Sequence, residues 1–253
     1  MMNRPYLAAA SMLLAFAATP VRADGVSDMR AALERASVTT PVKASIEART
    51  WRRTGEGKDA EDDQGQVAVN IDDGARGLSI LYSKDLLARI DSEKRVKSKN
   101  PDAKTPTSTA LSELSPSNVL PFISAAPTLS RTIEKAVLKG ERAETYQGKP
   151  ARVLTFDIPM STLSKQSLKY AKKFDSTIDI WIGADGMPLA SRSRQNVSGR
   201  AFVVVSFEST YEESAVYALA GERLVTIKRD TRGTSAGAGE KQEFKNNYSM
   251  TLQ

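Results

Sequence analysis

One stretch decides the fold class: Thr177-Ile-Asp-Ile-Trp-Ile-Gly-Ala-Asp-Gly-Met-Pro-Leu-Ala190. Ile178, Ile180 and Ile182 alternate with Thr, Asp and Trp, and successive side chains of a β-strand point to opposite faces of a sheet. Asp185-Gly186 is a turn former, and the chain returns after it. The stretch therefore predicts an antiparallel hairpin with one apolar face.

The same period of two recurs along most of the chain. After the predicted turn at residues 147–150, Leu154, Phe156 and Ile158 again share one face. Further predicted strands lie at 42–49, 67–71, 78–82, 136–146, 187–195, 215–219, 224–228 and 248–252, and residues 202–209 are apolar on both faces, as expected for a central strand. We predict about nine to eleven strands, mostly antiparallel and joined by short turns, with Asp72-Asp73-Gly74 and Gly199 among the turns.

Four segments interrupt this rhythm and predict helices, at residues 28–36, 85–96, 117–126 and 163–174. Ser27 is the predicted N-cap of the first helix, while Ser115-Pro116 begins the third and Pro121 kinks it. A sheet this long twists until it curls into a barrel, a half-barrel or a sandwich. The prediction is an α+β fold in which about three to four helices fill the concave face of a curved sheet.

Any volume that these helices leave free is the predicted ligand site. Its predicted lining consists of inward apolar residues from two neighbouring strands, namely Leu154, Phe156, Ile178, Ile180 and Ile182. Such a lining can bind acyl chains without any polar motif, because each buried methylene contributes about 0.8 kcal/mol.

Composition excludes several kinds of chemistry. The 253 residues include 36 Lys and Arg and 30 Asp and Glu, but no His and no Cys. Ser-His-Asp and Cys-His catalysis, His or Cys metal sites, haem ligation and disulfides are therefore excluded, and we expect no cofactor. The excess of positive charge is mild and does not by itself indicate nucleic-acid binding.

Residues 1–23 have the three parts of a secretory signal. Arg4 gives the positive start, Leu7–Ala18 is apolar, and Val21-Arg22-Ala23 resembles a cleavage motif. The apolar run would make a helix of about 18 Å, too short for a hydrocarbon core of about 30 Å. We expect cleavage after Ala23 and a soluble periplasmic product, with one domain over 24–253 and a helical insert near 83–126.

Three other motifs have simpler explanations than a functional site. In the glycine run 233–241, Lys241 precedes Gln242 instead of Ser or Thr, which predicts a hairpin loop instead of a phosphate-binding loop. The carboxylates of Lys58–Gly65 lack the spacing of a calcium loop and predict a solvated hairpin tip. No Ser-x-x-Lys occurs, and Glu212 and Glu213 are predicted to face opposite ways, although a hydrolase built on carboxylates remains an open alternative.

Two lysine-rich segments are predicted to form basic helical faces. They comprise Lys94, Arg95, Lys97 and Lys99, and Lys165, Lys169, Lys172 and Lys173. Such faces can rest on anionic lipid headgroups, where each charge is worth about 1 kcal/mol, or can simply keep the protein soluble. Trp51 and Trp181 lie on the polar sides of their strands, where they either cover the sheet or contact a partner.

Two quoted segments carry a family resemblance. They are Glu144-Thr-Tyr-Gln-Gly-Lys-Pro-Ala-Arg-Val-Leu-Thr-Phe156 and the opening stretch from Ile178 to Ala190. Together they resemble the paired strands of the periplasmic lipoprotein-carrier superfamily of the LolA/LolB type, in which a strand, Asp-Gly, Pro-Leu and strand hairpin is typical. The resemblance implies an unclosed half-barrel capped by helices, with an apolar cavity for acyl chains.

The expected function follows from the export signal, the apolar sheet and this resemblance. We expect a periplasmic protein that binds a lipid or an acyl chain, is not an enzyme, and takes a lipid or an acylated protein as partner. An anionic membrane surface or an envelope protein is a further expected partner, and nucleic acid is not. The alternative is an envelope protein-interaction or stress-regulatory factor that transports no ligand.

Overall fold

The computed structural model describes residues 24–201 and 205–253. Within them the helices are α1 (Gly25–Arg35), α2 (Lys84–Lys99), α3 (Pro106–Ser112), α4 (Pro116–Ile123), α5 (Ala125–Glu134) and α6 (Lys165–Tyr170). The strands are β1 (Val42–Thr54), β2 (Glu61–Gly74), β3 (Gly77–Leu81), β4 (Val137–Tyr146), β5 (Lys149–Asp157), β6 (Ala171–Ile182), β7 (Pro188–Ala201), β8 (Val205–Ala220), β9 (Arg223–Gly237) and β10 (Glu240–Leu252). The predicted signal segment and residues 202–204 of a predicted strand lie outside the described residues.

The strands form one antiparallel sheet in the order β3-β2-β1-β10-β9-β8-β7-β6-β5-β4. β3 and β4 are its two edges, so the sheet is open. Every pair joins strands that follow one another in the chain, except that β1 pairs with β10 and places Ala44 opposite Leu252. The predicted α+β class, the antiparallel pairing and the number of strands are confirmed.

Alternation of side chains gives the sheet two different faces. In β1, Val42, Ala44, Ile46 and Ala48 are buried, while the residues between them are wholly or partly exposed. We call the face that packs against the helices the inner face and the opposite one the outer face. The helices lie on one face only, because only that face presents continuous apolar surface.

Two apolar clusters fill the space between helices and inner face. The first cluster consists of Val42, Ala44, Ile46, Ala48, Val67, Val69, Ile71, Leu86, Ala110, Leu114, Val119, Phe122, Ile123, Val225, Tyr248 and Met250. The second cluster consists of Val26, Met29, Leu33, Ala36, Ala125, Ala126, Leu129, Ile133, Leu154, Phe156, Ile178, Ile180, Ile182 and Leu224. The first lies under α2, α3 and α4, and the second under α1 and α5.

The helices differ from the prediction in number and in one cap. The described residues contain six α-helices, not three to four. α3 has only Thr107 and Ala110 buried, too few for a periodic signal, and α5 begins at Ala125, at the end of the predicted helix 117–126. Asp24, not Ser27, caps α1, since its Oδ1 accepts a hydrogen bond from the Val26 N–H at 3.1 Å.

Strand pairing overrides two further predictions. The predicted helix 163–174 is confined to α6, because the chain enters β6 at Ala171, which pairs with Gly199. Gly199 is not a turn: it is buried within β7, and an added Cβ there would overlap the Tyr170 carbonyl oxygen. Residues 205–209 of one predicted strand and the predicted strand 215–219 belong to the same strand, β8.

Two contacts fix the helical cover over the first cluster. α3 lies directly on Gly65 of β2, since a Cβ added to Gly65 would overlap the Pro106 carbonyl oxygen. The buried Arg223 guanidinium pairs with Asp73 at 2.7 Å and donates to the Thr40 carbonyl and to the Ser124 hydroxyl between α4 and α5. Arg223 therefore ties the junction of α4 and α5 to the sheet.

Candidate functional site

The five residues predicted to line a ligand site lie together on the inner face. In the register of β5 and β6, Leu154 opposes Ile180 and Phe156 opposes Ile178, with Ile182 one step further along β6. All five are at most 7% exposed, and they belong to the second cluster with side chains of α1 and α5. In this arrangement the protein's own helices occupy the space in front of them, and their role as ligand contacts stays a prediction.

A polar network on the inner face borders both clusters. Glu213 of β8 is its centre, because its Oε2 accepts hydrogen bonds from Arg229 Nη2 at 2.6 Å, Arg229 Nε at 2.8 Å and the Tyr211 hydroxyl at 2.7 Å. Burial and the neighbouring Glu213 carboxylate raise the pKa of Tyr211, so the phenol stays a donor. Although burial opposes its charge, Glu213 also raises the pKa of Arg229.

The network reaches the two clusters through two further tyrosines. The Tyr248 ring belongs to the first cluster, meets Phe122 edge to face at 5.7 Å, and its hydroxyl donates to Glu113 Oε2 at 3.1 Å. The Tyr217 ring packs against the second cluster, and its hydroxyl lies 2.7 Å from that of Ser191. Burial raises the pKa of both phenols.

A cavity of about 260 Å³ opens beside this network. Its walls come from the four strands β1, β8, β9 and β10, from the turn after α3 and from α4: Arg52, Glu113, Asn118, Tyr211, Arg229, Thr231, Phe244, Asn246 and Tyr248. Arg52 lies 3.9 Å from Glu113 and is half-exposed, so its guanidinium can turn toward a bound group. The cavity combines aromatic walls with hydrogen-bond donors and acceptors, which suits the polar end of a molecule.

The outer face carries a second cavity, of about 350 Å³. The cavity runs along a row of ion pairs. In this row Glu212 Oε2 lies 3.3 Å from Arg192 Nη2 and 2.7 Å from Arg232 Nη2. The hydrogen bond from Arg232 lowers the pKa of Glu212. Glu212 and Glu213 thus face opposite sides, as predicted, and each has its own arginine partners.

The remaining sequence candidates fall outside these cavities or at their margins. The glycine run forms the β9–β10 hairpin, although Gly233–Gly237 belong to β9 itself. Asp59 ends a short 3-10 helix, while Glu61, Asp62 and Asp63 belong to β2, where Asp62 pairs with Arg53. On the outer face, Trp181 donates to Glu144 at 3.2 Å, and Lys245 lies over the Trp51 ring.

Sequence reasoning missed the central network. Tyr211, Glu213 and Arg229 belong to strands whose register could not be fixed from the chain alone. The available signal was the alternation of Tyr211 and Glu213 within β8, which puts both on one face. Within the described part of the chain, no cluster of three or more carboxylates is placed to hold a metal ion, and no helix is long and apolar enough to span a membrane.

Comparisons of the chain with protein families, with curated proteins and with solved structures found no match. The resemblance to the lipoprotein-carrier superfamily therefore stays a prediction, and the fold and the site stand on their own geometry.

Proposed function

We propose that this chain is a periplasmic binding protein whose sheet acts as a half-barrel and takes up the acyl chain of a lipid or of an acylated protein. It holds the ligand and does not transform it. The observation that carries the proposal is the cover of the inner face: separate helices, not a second sheet, lie over the two apolar clusters. A ligand can take the place of such helices.

The construction of the cover supports this exchange. α3, α4 and α5 have 7, 8 and 10 residues, and in none of them does the side chain of the N-cap residue itself accept a hydrogen bond from the first turn. Helices of this length are unstable alone and depend on packing, and Pro121 weakens α4 further. Their covering position therefore depends mainly on apolar contacts, which an acyl chain can replace.

The polar network supports an amphiphilic ligand in particular. The cavity beside Arg229 and Glu213 adjoins the first cluster at Tyr248, and Tyr217, which packs against the second cluster, is close enough for the charges of Glu213 and Arg229 to act on its pKa. A molecule with its chain under the cover can thus place its polar end against Arg52, Asn246 and the tyrosine hydroxyls. Burial of each methylene contributes about 0.8 kcal/mol, enough for affinity without a charged clamp.

Photolabelling tests the proposal directly. Delipidated protein is incubated with a fatty acid that carries a diazirine near its methyl end, and the labelled peptides are identified by mass spectrometry. We expect saturable labelling in β5, β6 and α5, competed by unlabelled fatty acid. Labelling that does not saturate, or that falls only on outer-face residues such as Arg192 and Arg232, would falsify the proposal.

A further inference from the structure

We propose that α2 and the end of β3 form a docking surface for an anionic lipid bilayer. We call this the α2 surface: Leu81, Tyr82, Leu87 and the basic residues of α2. The inference does not depend on what the half-barrel binds, since it concerns a different part of the molecule.

The first support is the exposure of large apolar side chains. Leu81 is 51% exposed, Tyr82 45% and Leu87 48%, and all three lie within seven residues of one another around the Ser83 cap. α2 has 16 residues, yet Leu86 is its one buried residue. A helix held this loosely, with apolar side chains turned to solvent, indicates a second contact surface.

The second support is a set of cations without carboxylate partners. α2 carries Lys84, Arg89, Lys94, Arg95, Lys97 and Lys99, all exposed, against three carboxylates. Among the described residues, none of these six forms an ion pair, whereas cations along the sheet, such as Arg192, Arg229 and Arg232, do. Glu93 turns inward and accepts hydrogen bonds from Thr107 and Ser108 of α3, so it does not offset them.

Together these features fit a bilayer with anionic headgroups. Leucine and tyrosine side chains enter the boundary between headgroups and acyl chains, while lysine and arginine remain beside the phosphates. The 16-residue helix can lie along the membrane plane, and its outward charges attract anionic lipids from a distance of about 10 Å.

The chain offers a matched control of similar charge. Lys165, Lys169, Lys172 and Lys173 are also exposed, and none of them forms an ion pair among the described residues. Leu168, 39% exposed, is the large apolar side chain beside them, and α6 has only six residues. If charge alone caused binding, this second basic segment would contribute as much as α2.

Vesicle cosedimentation tests the assignment, with protein that begins at Asp24 and so contains the whole described fold. Vesicles of phosphatidylcholine are compared with vesicles that also contain phosphatidylglycerol. One variant carries Leu81→Ser, Tyr82→Ser and Leu87→Ser, and another carries Lys94→Gln, Arg95→Gln, Lys97→Gln and Lys99→Gln. The control variant carries the Gln substitutions at Lys165, Lys169, Lys172 and Lys173.

We expect the unmodified protein to bind the anionic vesicles at least about ten-fold more tightly than the neutral ones, and both α2 variants to lose about ten-fold in affinity. The control should lose less than about three-fold, and circular dichroism should show all variants folded. If the unmodified protein stays in the supernatant with both kinds of vesicle at low salt, the proposal is overturned. The α2 surface would then be assigned to a protein partner. An equal loss in the control overturns the assignment to α2.

Discussion

The two apolar clusters meet the sheet in different ways. Beside the first cluster, Gly65 of β2 presents no side chain to α3, so that α3 lies directly against the backbone of β2, although the sheet side of that cluster also contains larger residues such as Ile46 and Ile71. The sheet side of the second cluster is built largely from leucine, isoleucine and phenylalanine, such as Phe156 and Ile180. A glycine lets a helix lie against the strand backbone, so no space lined by side chains remains if that helix moves away. Large side chains keep a helix farther from the strand, so a trough lined by those side chains is exposed if the helix moves away.

The largest expected effect comes from replacing one large buried side chain in each cluster by alanine. Phe122 and Phe156 are both almost completely buried, one in each cluster. Substitution of either by Ala should lower the free energy of unfolding by about 3 to 5 kcal/mol, measured by urea denaturation. The comparison predicts that a fatty acid raises the free energy of unfolding of Phe156→Ala more than that of the unmodified protein, because its acyl chain fills the space left by the phenylalanine ring.

In Phe122→Ala the fatty acid should add no more than it adds to the unmodified protein. A ligand at about 100 times its dissociation constant stabilises by about 2.7 kcal/mol, well within the resolution of such measurements. Equal rescue of both variants would remove the distinction between the clusters.

Arg223 is expected to have the next largest effect, because it is the buried polar tie between the sheet and the α4–α5 junction. Arg223→Ala leaves the Asp73 carboxylate, which is 18% exposed, without its partner and should cost about 3 kcal/mol. It should also speed uptake of a fluorescent fatty acid, measured by stopped flow, since Ser124 is released. Slower or unchanged uptake would show that this junction does not limit access.

The close approach in the first cluster can be tested at Gly65. Gly65→Ala forces α3 away from β2, because its Cβ would overlap the Pro106 carbonyl oxygen, and should destabilise by about 2 kcal/mol. Gly140→Ala on the edge strand β4 is the matched control, since an added Cβ there has no neighbour within 4 Å. If both substitutions change the unfolding midpoint equally, α3 does not pack directly against Gly65.

The smallest effect concerns Glu93, which joins α2 to the first turn of α3. Burial opposes its charge, but hydrogen bonds from Thr107 and Ser108 lower the pKa of Glu93 below its ordinary value of 4.5. Because the folded-state pKa is the lower one, the stabilisation is full above pH 4.5 and is lost as the pH falls through the folded-state value. Glu93→Gln should cost about 1 kcal/mol at neutral pH and flatten the stability profile in acid.

If the stability of Glu93→Gln falls as steeply with decreasing pH as that of the unmodified protein, other carboxylates cause the acid sensitivity. Urea denaturation at several pH values between neutral and acid distinguishes the two outcomes.

Strand alternation was strong enough to predict the sheet from sequence. Ile178, Ile180 and Ile182 repeat with period two, and the structure places them on one buried face, so the local signal and the final fold agree. The short helices were predicted less well, because α3 buries too little to show a period. At Lys172 and Lys173, pairing of β6 with β7 decided the structure against a local helical tendency.

The candidate site was beyond prediction for a different reason. Glu213 and Arg229 lie 16 residues apart on the paired strands β8 and β9, and they share a face only because a register shift lies between Val216 and Tyr217. An irregularity of one residue changes which side chains share a face, and composition does not reveal it. The apolar lining could be named from sequence, but its polar border could not.

The pairing of β1 with β10 has a consequence for the order of folding. Strands β4 to β10 each meet a neighbour in the chain and can assemble as successive hairpins, but β1, β2 and β3 can join that assembly only through β10. Contacts across nearly the whole chain form slowly, so the first strands made wait for the last. Pulse-labelled hydrogen exchange should find the amides of β1 that pair with β10 protected late, after the amides within the hairpins of neighbouring strands.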